Sequence, residues 1–191
     1  MPGAFVVINA DDFYGRDAYE AASRFIDESD DETEHAMVGY NLRNTMTPFG
    51  SVARGVCTKD ENGNLVSVVE RTKIEARGED AAFTEDGETW TPISGDTTVS
   101  LNLWVFKNSI FDEMQARFAN FLKDEIASNP LKKEYYLPSV SNQLLTEKKA
   151  AFKVLPTKAR WFGMTYLEDL PNTKANIAKM KENGEYPENL W

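Results

Sequence analysis

Apolar residues along this chain come in two rhythms, and the switches between them mark its elements. Ala4 to Ile8 is an unbroken apolar run, which predicts a short strand buried on both faces. Asp17 to Glu28 sets Ala18, Ala21, Ala22, Phe25 and Ile26 at the spacing of an amphipathic helix. His35 to Leu42 returns to a strand pattern, with Met37, Val38 and Tyr40 as core contributors. Val52 to Thr58 and Leu65 to Thr72 are two more strands, joined at Asp60–Asn64. Asn62-Gly63 predicts a hairpin turn there, because both positions accept a positive φ. Thr97 to Phe106 is the clearest strand: Val99, Leu101, Leu103 and Val105 alternate with Thr98, Ser100, Asn102 and Trp104. Its second face is polar at Ser100 and Asn102, which is unusual for a sheet covered on both sides.

The later chain is more helical. Ile110 to Ile126 predicts a helix with Ile110, Phe111, Met114, Phe118, Phe121 and Leu122 on its apolar side. A second helix lies within Tyr135 to Leu145, with Pro138 suited to its first turn. Short strands follow at Ala151–Leu155 and Arg160–Tyr166, then a helix over Asn172–Lys181 that ends at Gly184, a good C-cap. Between these elements lie an acidic loop (Ser29–Glu34), a loop holding Pro48 and Gly50 (Asn41–Ser51), and a polar, β-rich excursion from Ile74 to Pro92. No repeat, low-complexity tract or linker interrupts the series, so residues 1–191 read as one α/β domain with a β-rich insertion.

Composition narrows the function classes. At 191 residues, 41% of them hydrophobic, the chain can bury a real core. A net charge of −10 argues against a general nucleic-acid surface, which needs a basic patch, but leaves room for a local basic pocket for a phosphorylated small molecule. No apolar run approaches the roughly 20 residues of a membrane span, and there is no signal peptide. The chain therefore reads as cytoplasmic, with no nucleic-acid or membrane partner. Cys57 is the only cysteine, which rules out an internal disulfide and multi-cysteine metal sites, and it reads as a buried apolar residue. His35, the only histidine, stands in a turn-like, acidic setting ill suited to a serine–histidine triad.

The first strand ends at two adjacent acids, Asp11 and Asp12, before the helix that follows Gly15. Ligands of open α/β sheets bind beyond the carboxyl ends of strands. Acids placed there suit Mg²⁺, which takes one or two carboxylates plus phosphate oxygens. The same spacing suits a turn or a helix cap equally well. Because neighbouring side chains diverge, one acid is expected to act as a ligand while the other caps the helix.

Asn9-Ala-Asp-Asp-Phe-Tyr-Gly15 resembles the metal-binding strand end of the sugar-1-phosphate nucleotidyltransferases, or nucleoside-diphosphate-sugar pyrophosphorylases. Gly55-Val-Cys, the Asn62-Gly63 turn and Ser67-Val-Val-Glu-Arg-Thr72 resemble that family's glycine, hairpin and Glu-Lys-Pro segment. Val99-Ser-Leu-Asn-Leu-Trp-Val-Phe106 resembles the sugar-binding strand, and Glu134-Tyr-Tyr-Leu137 a further segment at a helix start. The four come in the family's order, across nearly the whole chain, and are most similar to a bacterial uncharacterised branch. The resemblance implies a three-layer α/β/α sheet, mixed and mostly parallel, with the β-rich excursion. It covers the later two-thirds or so of a family member, without the N-terminal glycine-rich loop that holds the nucleoside triphosphate. The family's second metal-binding acid also departs: in Trp161-Phe-Gly-Met-Thr-Tyr-Leu-Glu-Asp169, Gly163 stands in its place and Asp169 could serve from a shifted position.

The chemistry so implied is attack of a sugar-1-phosphate oxygen on the α-phosphorus of a nucleoside triphosphate, with release of pyrophosphate. It needs positioning and charge neutralisation more than covalent help. Asp11, with Asp169, would hold Mg²⁺. Gly55 and Asn102 would contact the sugar, Glu70 would accept its hydroxyl protons, and Arg71 would pair with its phosphate. In the bland reading, Glu70 and Arg71 form an exposed strand end, Asn102 satisfies a neighbouring loop, and Trp104 is core. A metal-dependent nucleotide-sugar glycosyltransferase and a non-catalytic sugar-phosphate-binding module are the alternatives, and homo-oligomerisation is left open. Without the glycine-rich loop, the 191-residue chain is expected to release no pyrophosphate by itself.

Overall fold

The apolar run at the start of the chain forms a strand, β1 (Ala4–Val7), and the helical pattern after Gly15 forms α1 (Arg16–Glu28). The computed structural model describes residues 3–125, 130–131, 133–163 and 169–189. In chain order the remaining strands are β2 (Asp12–Phe13), β3 (Glu34–Asn41), β4 (Val52–Lys59), β5 (Leu65–Arg77), β6 (Asp80–Phe83), β7 (Thr91–Ile93), β8 (Thr98–Lys107), β9 (Ala151–Thr157) and β10 (Phe162–Gly163). The other helices are α2 (Ser109–Asn120), continued by a π-helical turn over Phe121–Glu125, α3 (Leu137–Thr146) and α4 (Asp169–Glu182).

Eight strands form one sheet in the order β7-β6-β5-β4-β8-β3-β9, with β1 also paired to β8, while β2 and β10 pair separately. The expected mostly parallel sheet is not what forms. Among the described residues only β3 and β9 pair in parallel. β1, β3 and β4 run in one direction, and β8 lies among them running the other way, so each meets it antiparallel. The β4–β5–β6 strands are joined by tight loops, which connect antiparallel strands; a parallel pair would need a crossover of a dozen or more residues. The polar stretch from Ile74 to Pro92 is the β-rich excursion expected, built from the end of β5, β6 and part of β7.

β8 organises the sheet. On one side it pairs with β3. On the other its start pairs with β4 (Gly55↔Ser100, Val56↔Val99) and its end with β1 (Ala4↔Lys107 to Val7↔Trp104). β4 and β1 part beside Leu101, Asn102 and Leu103, which splits the sheet. At the split β8 bulges: the register moves from Met37↔Trp104 to Gly39↔Ser100, and Asn102 adopts φ 62. Two extra residues preserve the alternation of faces, so Val99, Leu101, Leu103 and Val105 stay in one core cluster. That cluster receives Ala18, Ala22 and Phe25 of α1. On the opposite face Trp104 and Phe106 pack with Met37, Phe152, Ile110 of α2, and Val140 and Leu144 of α3. Trp104 is thus core, fully buried.

The β4–β5 loop is organised by Asp60, whose carboxylate accepts the Asn62 and Asn64 N–H groups (2.9 and 2.7 Å). Only Gly63 of the expected pair takes a positive φ, 78°. The loop tip curls over to edge strand β9, where the Val154 N–H donates to the Gly63 carbonyl (3.0 Å). Asn142 of α3 clamps β5: its amide accepts the Val68 N–H (3.1 Å) and donates to the Val68 carbonyl (2.8 Å).

Three expectations need correction. His35 is not in a turn: it lies in β3, 1% exposed, between the Phe106 and Phe152 rings. The apolar side of α2 is wider than its contact, since Phe111, Phe118 and Leu122 remain exposed. α4 begins at Asp169, three residues before the expected start. Of the strand expected over Arg160–Tyr166, Phe162–Gly163 forms, and residues 164–168 lie outside the described residues.

Candidate functional site

The carboxyl end of β1 points into the split in the sheet, and residues 8–12 turn there toward β2. Tyr14 pins this turn to the bulge. Its buried hydroxyl donates to the Leu101 carbonyl (2.8 Å) and accepts the Asn9 N–H (3.0 Å). Burial, first of all, raises the phenol far above its ordinary pKa, so it stays a neutral donor. Tyr40 in turn donates to the Tyr14 carbonyl (2.9 Å).

The two acids are separated by their partners. Asp12 is half-buried and both its oxygens are engaged: Oδ1 accepts the Trp161 indole N–H (2.7 Å) and Oδ2 accepts the Asn9 amide (2.9 Å). It does not cap α1, whose N-cap is Gly15 with no side-chain capping bond. Asp11 is exposed and makes no hydrogen bond or ion pair to any described residue. Trp161 itself lies under Arg54, with the guanidinium carbon 4.2 Å from the ring centroid. Arg54 is 7% exposed, held by the Thr45 hydroxyl (3.1 Å), the Thr45 carbonyl and the Ala53 carbonyl (2.7 Å). Burial pushes its pKa down to about 10, which leaves it charged at neutral pH.

The β4–β5 hairpin carries the expected sugar-side residues. Gly55 pairs with Glu70 on one side and Ser100 on the other. A Cβ on Gly55 would stand 2.7 Å from Val68 Cγ1, 3.3 Å from Ser100 Cβ and 3.6 Å from Glu70 Oε2, so only glycine fits. Glu70 reaches solvent, but the protein around its carboxyl raises its pKa, with the Arg54 charge opposing. Arg54 follows the opposite face of β4 from Gly55 and Glu70 and lies on the side of Trp161 and Asp12. Asn102 is exposed at the bulge, its N–H donating to Ser100 Oγ (3.2 Å), and its amide is free to offer a donor and an acceptor.

Two expected site residues stand apart. Arg71 pairs in register with Arg54 and turns away from Glu70; it donates to Glu85 (2.6 Å) and lies over the Phe83 ring (4.4 Å). Asp169 is 7% exposed and accepts the Thr47 hydroxyl (3.2 Å) at the start of α4. It shares a small cavity with Trp161, whose indole N–H is directed at Asp12. Among the described residues no group of three or more acids, histidine or cysteine is arranged to hold a metal. A larger cavity, about 420 Å³, opens between α2 and α3, lined by Arg117, Phe121, Tyr135, Tyr136 and Gln143. Tyr135 and Leu137 pack against the cluster that holds Cys57 and Val68, which sets this segment against the hairpin.

Arg54, Trp161 and Tyr14 were not picked out by sequence reasoning. Trp161 lies 149 residues from Asp12, and no spacing rule joins them. Compared with known proteins, the chain matches no family model and no curated protein.

Proposed function

We propose that this chain carries the sugar-phosphate side of a nucleotidyl-transfer site of the sugar-1-phosphate nucleotidyltransferase kind. The observation that supports it most is the split beside the Asn102 bulge, where the end of β1 sets the Asp11–Asp12 corner against β8 and β4 carries Gly55, paired with Glu70, on the other side of the gap. In this reading the sheet belongs to the family's three-layer architecture, with helices on both faces, β8 as the reversed strand and β5–β7 as the β-rich excursion.

In the proposed reaction an oxygen of the sugar 1-phosphate attacks the α-phosphorus of a nucleoside triphosphate. The bond from that phosphorus to the β-bridging oxygen breaks, and pyrophosphate leaves with the electron pair. Gly55 is buried and the space beside it is filled by Val68, Ser100 and Glu70, so it shapes the hairpin that presents Glu70 rather than meeting the sugar with open backbone. Glu70 accepts hydroxyl protons from the sugar, and Asn102 supplies a donor and an acceptor. Arg71 can pair with the phosphate only by exchanging Glu85 for it. Mg²⁺ fits this corner as an ion shared with substrate phosphates, because Asp11 offers one accessible carboxylate and Asp12 none. Bound there it would supply charge neutralisation. Asp169 would join it as a second ligand only by releasing Thr47. The single outward acid counts against the glycosyltransferase alternative, whose spaced acids act together.

Isothermal titration with a panel of sugar 1-phosphates in Mg²⁺ tests the reading. Binding of one panel member, weakened at least tenfold in Glu70→Gln, is the expected result. Absence of binding across the panel, or equal binding by Glu70→Gln, overturns it. Pyrophosphate release by the chain itself would go against its expected inactivity and remove the binding-module alternative.

A further inference from the structure

Arg54 is a buried cation with no carboxylate within ion-pair distance among the described residues, an unusual state for a charge taken out of water. What it touches is an aromatic face. A cation over an indole is attracted to the ring's negative face and draws electron density away from the ring edge. The Trp161 N–H lies on that edge, and it donates to Asp12 Oδ1 at 2.7 Å. Hydrogen bonds in such a series strengthen one another where water is excluded. The series runs from the Thr45 hydroxyl and carbonyl through Arg54 and Trp161 to Asp12, whose other oxygen holds Asn9. Asn9 and Asp12 bracket Asp11, so fixing both leaves the Asp11 side chain turned to solvent.

We propose that Arg54 is a positioning residue for the acid corner: its buried charge, stacked on Trp161, tightens the indole grip on Asp12 and thereby presents Asp11 as the outward carboxylate. The functional sense of the inference rests on the reading of Asp11 given above. Its chemistry is independent of that reading, because the grip on Asp12 exists without any ligand.

The test is NMR of the 191-residue chain labelled with ¹⁵N at tryptophan, read on the Trp161 indole N–H. Trp161→Phe identifies that signal by its loss, while keeping a ring beneath Arg54. In the wild type the signal is expected downfield of the other indoles and slow to exchange with solvent. Asp12→Asn should move it upfield, and Arg54→Met should move it the same way. Thr45→Val touches neither Trp161 nor Asp12 and serves where Arg54→Met does not fold; it should move the signal by a smaller amount. An indole signal unmoved in the folded Arg54→Met or Thr45→Val chain overturns the proposal. Mn²⁺ added to the same samples separates the two readings. Broadening of the Trp161 indole signal that is lost in Asp11→Asn supports the metal role, and its absence removes that role while the Trp161 shifts still decide the positioning of Asp12.

Discussion

Gly55 occupies space that no side chain can share. In Gly55→Ala the new methyl would meet Val68 Cγ1 at 2.7 Å, inside a paired strand that cannot swing away. Overpacking of this kind costs about 1–3 kcal/mol, to be read as a lower urea midpoint with an unchanged slope. His35 gives a second residue-scale expectation. Burial, with the Lys107 charge adding to it, lowers its pKa from 6.5 to about 4. The folded state therefore prefers the neutral ring. Its contribution is complete above pH 6.5 and is lost as the pH falls toward 4, about 3 kcal/mol in all. As the only histidine, it gives one unambiguous NMR titration, and a midpoint near 6.5 would refute its burial as a neutral base. Glu70 has the opposite sense: burial raises its pKa, so ionising it opposes folding and the penalty grows as the pH rises through its folded pKa. Glu70→Gln should raise Tm at pH 7, with the gain vanishing in acid.

At the scale of elements, most strands and helices were legible in the chain because each carries its own periodicity. β3, β4, β8 and α1 begin and end within about two residues of the positions their patterns predict. What was not legible depends on partners distant in sequence. Nothing in Thr97 to Phe106 says that it runs against three neighbours, nor that Asn102 leaves the strand conformation; its polar side chain on a covered face was the only local sign. Arg71 sits next to Glu70 in sequence, yet successive strand residues face opposite ways, and Glu85 from beyond the next strand takes it. Asn142 is a similar long-range device. In Asn142→Ala both Val68 backbone groups would lose their partner, which should cost about 1–3 kcal/mol and speed hydrogen exchange at the Val68 amide before other β5 amides. Equal exchange along β5 in wild type and variant would show that the clamp contributes nothing.

For the whole molecule, the telling feature is an edge. β1 pairs with β8 alone, and among the described residues its other edge has no strand partner. Its residues Ala4–Val7 carry no charge, proline or bulge to discourage a visiting strand, and Ile8 beside it is exposed. Phe5 stacks on the exposed Phe111 of α2 at 5.0 Å, so the edge continues into an apolar helix face. Association that grows with concentration is expected in light scattering, and Ile8→Lys should reduce it with little change in Tm. A chain that stays monomeric at high concentration would show that this edge is protected.

The parallel pairing of β3 with β9 has a consequence in time. β3 emerges early in synthesis and finds its parallel partner only after β4 to β8 and two helices have been made. At ordinary elongation rates that delay is on the order of ten seconds. Through that interval one margin of β3 stays open, and the Gly63 carbonyl has no Val154 N–H to receive. A nascent chain stalled before Ala151 should be cleaved by protease within β3, and one stalled well past Thr157 should resist.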